Sequence, residues 1–113
     1  MVDITPELIK LFRANGITLI AEEVQDSVNE YPLVTYSEAE NSDNAVGDNV
    51  GYSNIAYTIN VWTKSKAECM SVSKKVDEVM HSAEFMRTGS LFQTYGGLYR
   101  HIWTYRRLVY EAF

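Results

Sequence analysis

From Tyr52 to Trp62 the chain alternates. Ile55, Tyr57, Ile59 and Val61 fall on one side, and Asn54, Ala56, Thr58, Asn60 and Trp62 on the other. A two-residue period rich in β-branched and aromatic residues predicts a strand with one well-buried face. The period then changes. Cys69, Val72, Val76, Val79, Met80 and Ala83 recur at helical spacing and form one apolar stripe. Ser65 stands three residues before Glu68, the signature of a capping box, and marks the start of that helix. A strand feeding directly into an amphipathic helix is expected to pack against it.

The flanking segments complete a sheet. Thr5 to Gly16 reads as a short helix, with Thr5 as its N-cap, Pro6 in the first turn and Asn15-Gly16 as its stop. From Ile17 to Val28 two patterns compete: Ile17, Leu19 and Ala21 alternate as in a strand, whereas Ile20, Val24 and Val28 fit helical spacing; the favoured reading is a short strand from Ile17 to about Ala21, then an irregular acidic segment. Tyr31 to Tyr36 is a strand with Pro32 at its start. Ser37 to Gly51 is polar and turn-rich, and predicts a long mobile loop that a partner orders. After the helix, Phe85 to Gly89 reads as a connection. Leu91–Tyr95 and Leu98–Tyr110 read as two strands joined by a Gly96-Gly97 turn. The last strand has Tyr99, His101, Trp103, Tyr105, Arg107 and Val109 on one side. Leu98, Arg100, Ile102, Thr104, Arg106, Leu108 and Tyr110 take the other, so neither face is cleanly polar. The expectation is a single α+β domain over residues 1–113: a largely antiparallel sheet of about four strands with two helices packed on one face.

Charge changes this picture modestly. The net charge is −5. Residues 1–50 carry ten acids against two bases, and residues 51–113 eight bases against five acids. The overall acidity argues against a nucleic-acid binder. The asymmetry suits one copy meeting the next through opposite charges, and suits a solvated mixed surface equally well. Cys69 is the only cysteine, so no internal disulfide is expected; on the apolar stripe it reads as a buried thiol. No signal peptide and no membrane-length apolar run is recognisable, and a soluble cytoplasmic product is expected.

Candidate chemistry is sparse. His81 and His101 are too far apart and too isolated from other ligands to suggest a metal site. His81 reads as a favourable charge at a helix C-terminus, and His101 as part of a cross-strand aromatic cluster. Gly96-Gly97 has no Lys-Ser/Thr behind it and is not a phosphate loop. Glu22 and Glu23 are adjacent and diverge rather than converge on a substrate. No catalytic residue, metal ligand or cofactor is expected. Arg100, Arg106 and Arg107 interleaved with Tyr99, Trp103 and Tyr105 point more to a protein interface than to stacked nucleic acid, since Trp, Tyr and Arg dominate interface hot spots. A small ligand-binding or enzymatic α+β domain stays open as an alternative, as does an adaptor acting through the 37–51 segment.

An ordered set of short motifs goes further. Tyr31-Pro-Leu-Val-Thr-Tyr36 is followed by an acidic variable stretch, then Tyr57-Thr-Ile-Asn-Val-Trp-Thr-Lys-Ser65 and a helix. Phe85-Met-Arg87 and a hairpin ending in Tyr99-Arg-His-Ile-Trp-Thr-Tyr-Arg106 come last. Together these resemble the tail-completion, or head–tail joining, proteins of long-tailed bacteriophages and prophages. Where that family usually carries glycine before Phe-x-Arg, this chain has Glu84. The resemblance implies a structural protein of the virion, placed at the tail–head junction and made in the cytoplasm of a bacterial host. It implies a homo-oligomeric ring, generally a hexamer, whose partners are the tail tube protein and the head completion or connector protein. Membrane and nucleic acid are not expected partners. The residues expected at protein interfaces are Trp62, Trp103, Tyr105, Arg106 and Arg107, with Asp43 and Asp48 in the acidic stretch.

Overall fold

A computed structural model describes residues 3–22, 30–46 and 50–112. In chain order its elements are α1 (Thr5–Ala14), β1 (Leu19–Ala21), β2 (Leu33–Val46), β3 (Val50–Thr63), α2 (Lys66–Ser82), β4 (Met86–Tyr95) and β5 (Leu98–Ala112). The strands form one sheet in the order β1-β2-β3-β5-β4. The expected α+β class with two helices is found. The sheet has five strands rather than about four, and it is mixed: β1 runs parallel to β2, whereas the other three pairings are antiparallel. A three-residue strand leaves little pattern from which to read its direction.

The central alternation holds. Ile55, Tyr57, Ile59 and Val61 are all fully buried, and they meet Cys69, Val76, Val79 and Met80 of α2. Leu8 and Phe12 of α1 enter the same cluster, so both helices lie on this face of the sheet. Helix α2 starts as expected: the Glu68 N–H donates to Ser65 Oγ at 3.4 Å. Helix α1 does not. Thr5 is its first residue, Ile4 holds the N-cap position, and the Thr5 N–H donates to Asp3 Oδ1 at 3.0 Å. The Thr5 hydroxyl is drawn away to the Tyr57 phenol, a tertiary contact that replaces the local cap.

Two loops expected from composition are strands. Ser37–Val46 continues β2, paired with β3 from Thr58 back to Val50 with one bulge between Glu38 and Glu40. Its polar side chains cannot form a core, yet a strand needs only a partner's backbone, and β3 supplies one along its whole length. Residues 47–49, and the acidic segment at 23–29, lie outside the described residues. Met86–Gly89, read as a connection, already belongs to β4, with a bulge between Arg87 and Gly89. The Gly96-Gly97 turn is as expected, with φ of 55° and 84°, the left-handed pair that a tight hairpin of this kind requires.

Helix α2 ends on a left-handed residue. Glu84 has φ 67°, its N–H donates to the His81 carbonyl, and the Phe85 N–H donates to the Met80 carbonyl, each at 3.0 Å. This is a Schellman closure with Phe85 folded back onto Met80 in the core. A glycine suits that position, because a Cβ in the left-handed region costs roughly 1–2 kcal/mol.

Two stability outcomes follow from these contacts. Glu84→Gly is expected to stabilise the chain by about 0.5–1 kcal/mol, since glycine relieves the left-handed Cβ but frees the unfolded backbone. Ile59→Ala is expected to cost about 2–5 kcal/mol, because it opens a cavity at a fully buried site. Urea unfolding measures both, with the exposed Met70→Ala as a control that changes stability by less than about 0.5 kcal/mol.

Candidate protein-interaction site

The lengths of strand and helix do not match. Strand β3 has fourteen residues and so spans about 46 Å at 3.3 Å per residue. Helix α2 has seventeen and spans about 25 Å at 1.5 Å per residue. The helix therefore covers about half of the sheet. Beyond it, β2, β3 and β5 continue as a three-stranded arm in which Val46 faces Val50 and Val50 faces Ala112. The arm gives the molecule its longest dimension, 53 Å against 23 and 22 Å.

The expected interface residues separate into three groups. Trp103 and Tyr105 lie on the helix-covered side. Trp103 is buried, with the His101 ring 4.1 Å away and the Arg87 guanidinium 5.2 Å above its own ring. Tyr105 is fully buried and donates to Asp77 Oδ1 at 3.0 Å. Both rings pack within the chain, a placement that their alternation with Ile55–Val61 across the β3–β5 ladder dictates. Trp62 lies on the opposite face, nearly buried beneath Arg100, whose guanidinium is 4.6 Å from the ring centre. Arg100 Nε also donates to Asn60 Oδ1 at 3.1 Å, and its terminal nitrogen is 3.8 Å from Glu22.

Arg106 and Arg107 stand at the root of the arm, on opposite faces. Arg106 pairs with Glu40 at 3.1 Å, and both side chains keep more than a third of their surface in solvent. Arg107 pairs with Glu84 at 3.4 Å and lies over Phe85. It also borders a shallow apolar groove of about 330 Å³ between α1 and the end of α2, lined by Ile4, Leu8, Leu11 and Phe85 among others. Asp43 sits in the β2 ladder opposite Ser53, and Asp48 falls outside the described residues. Reading the sequence missed Met86, Leu91 and Leu108, apolar side chains 71%, 54% and 48% exposed. They share the face that carries Arg106, away from the helices. Leu91 and Leu108 stand on predicted strands, but the side that lacks a helix is not visible in the sequence, and Met86 reads there as part of a connection.

Buried polar groups on the core face titrate abnormally. His101 shares a hydrogen bond with Ser73 Oγ at 3.2 Å and meets the edge of Phe92. Burial, and then the nearby Arg87 charge, pushes its imidazole below the usual range. Burial raises the Tyr57 phenol to about 12; the Thr5 hydroxyl works against this, and the Glu38 carboxylate adds to it. Burial, followed by Asp77, raises Tyr105 as well. These are groups held in one protonation state by packing. Among the described residues no three His, Cys, Asp or Glu side chains cluster as a metal site would require.

The shifts set the pH limits of stability. A histidine with a lowered pKa stays neutral when folded, so its contribution is complete above the unfolded value near 6.5 and is lost as pH falls below it. A tyrosine with a raised pKa acts at the other end. Stability is complete below the unfolded value near 10 and falls as pH rises from there toward about 12. Urea midpoints measured across pH should decline on both sides. His101→Phe is expected to flatten the decline below about pH 6.5, and Tyr57→Phe to reduce the alkaline one.

A search of curated proteins finds none that matches the chain. The sequence profile of the family described as Tail completion protein gp17 does match, over residues 6–110, from the first turn of α1 nearly to the end of β5. With nearly all of both helices and all five strands inside that match, the chain belongs to the tail completion protein family, a structural family of phage tails.

Proposed function

We propose that this protein completes the phage tail at its head-proximal end, acting as an oligomeric ring that joins the tail tube to the head connector. A hexamer is the ring size that the family resemblance implies. The observation that carries the reading is the three-stranded arm, which extends the sheet beyond the helices as far as Val46 and Val50. A segment of this kind reaches a neighbour without disturbing the fold that holds it. In this reading Arg106 and Arg107 contact an adjacent subunit at the arm's root, and Asp43 and Asp48 meet the docking partner near its tip. Trp62 supports Arg100 on one face, while Trp103 and Tyr105 stiffen β5 from beneath.

The Arg106–Glu40 pair suits such a role. An exposed ion pair contributes only about 0–1 kcal/mol to folding, so its members can exchange partners when a second subunit arrives. Cross-half pairing of this sort also places basic and acidic groups side by side along the arm.

The test combines purified protein with tail tubes. Sedimentation and electron microscopy should show a ring capping one end of each tube. A protein that stays monomeric at high concentration and leaves the tubes bare contradicts the reading. Arg106→Ala is expected to weaken association between subunits about tenfold or more in sedimentation, the scale of an interface arginine, with less than about 1 kcal/mol lost in urea unfolding. Removing Asp43–Asn49 and closing the strands with a tight turn should abolish capping while leaving the helix-covered core folded.

A further inference from the structure

Among the described residues, the sheet has two edges with no strand beside them over part or all of their length. On one side β4 ends the sheet along its ten residues. From Thr88 to Tyr99 the sequence has no charge and no proline, and Leu91 and Phe92 are 54% and 37% exposed. Lysines, prolines or extreme shortness normally protect such an edge from pairing with another chain. Here the only device is the bulge between Arg87 and Gly89, which leaves Gly89–Tyr95 regular. On the other side β1 covers β2 only at Val34–Tyr36. From Ser37 to Val46 no described strand lies on the side of β2 away from β3. A bulge between Glu38 and Glu40 again leaves a regular run, Glu40–Val46. Each edge thus offers seven regular residues.

We infer that β4 of one copy pairs, antiparallel, with the outer half of β2 in the next copy. The occupant of each edge is a second copy of this chain, and the closure of the series into a ring rests on the function proposed above. Strand direction supports the match. β2 and β4 run in opposite directions, because three antiparallel steps separate them. A rotation that sets copies side by side preserves those directions and keeps all helices on one surface. The β4 of one copy then meets the β2 of the next in the antiparallel sense, the better-bonded arrangement.

Side-chain parity agrees. When Gly89–Tyr95 is aligned end to end with Glu40–Val46, Gln93 stands opposite Ser42. Both belong to the face away from the helices, as their partners Arg100 and Asn54 show. The alignment needs a slide, because within one chain Gln93 is level with Leu33. β1 forces that slide by occupying the level position, and a fixed stagger between units is what a closed, tilted barrel requires. Pairing of β4 with β4 about a two-fold axis is the competing arrangement. It ends growth at two copies and leaves the β2 edge open.

Cysteine cross-linking separates these outcomes, since the native Cys69 is buried. Gln93→Cys protein mixed with Ser42→Cys protein should give a cross-linked dimer with a short thiol-reactive linker, and neither protein should do so alone. Combining both substitutions in one chain should give a ladder of higher species. Leu91→Lys with Gln93→Lys should raise the concentration needed for association at least tenfold without changing thermal unfolding. Cross-linking of Gln93→Cys protein by itself overturns the inference in favour of β4–β4 pairing. Undiminished rings in the lysine variant also overturn it, and leave the ring function standing. A 93–42 ladder that never caps tail tubes does the reverse: it supports the edge contact and removes the function.

Discussion

Strand β3 is hydrogen-bonded along both sides for nearly its full length, to β2 from Leu33 to Val46 and to β5 from Tyr99 to Ala112. This double ladder is the constraint on which everything else depends. It places Ile55, Tyr57, Ile59 and Val61 in one row, and that row is what α1 and α2 bury. It places Tyr99, His101, Trp103 and Tyr105 beside them, so the aromatic run of β5 enters the same core. It also continues past the helices. There the ladder itself continues through all three strands of the arm.

How far the sequence could be read follows from the same distinction. Elements that bury a stripe were legible: the β3 alternation, the α2 stripe from Cys69 to Met80, and the tight turn at Gly96-Gly97. Elements that rest on another strand's backbone were not. Ser37–Val46 has the composition of a loop; its strand structure comes from the backbone of its partner β3. Thr5 was misread as a cap for a related reason. Local rules assign its hydroxyl to the helix terminus, whereas Tyr57, fifty-two positions along the chain, takes it. For the candidate interface, residue type was legible and side was not. Trp103 and Tyr105 have the composition of a hot spot, yet parity with β3 sends them inward, while Leu91 and Met86 face outward and carry no such signature.

The charge asymmetry between the two halves of the chain also takes a different meaning once the strands are placed. β2 and β5 are separated by one strand, so the acidic and basic halves meet within the molecule. Arg106 reaches Glu40, and Arg100 reaches Glu22. Complementarity that looked suited to neighbouring copies is partly satisfied inside one copy. Because these pairs are partly exposed, breaking one costs little, so the same charges remain usable by an incoming chain.

Edge strands explain why a protein with so little visible chemistry can still be specific. Backbone pairing is indifferent to sequence, and selectivity must come from length, bulge position and which face each side chain takes. This fold supplies all three. One bulge stands near the start of β4 and one midway along β2, and β1 blocks the unstaggered register. In the proposed contact one offset is favoured over its neighbours, because a slip of one residue would set Leu91 and Gln93, held on the face away from the helices, opposite residues of β2 that point to the helix side. In the assembly proposed above, the apolar side chains exposed on β4 are the means by which copies recognise each other in order. An edge that would endanger a solitary protein is what such an assembly requires.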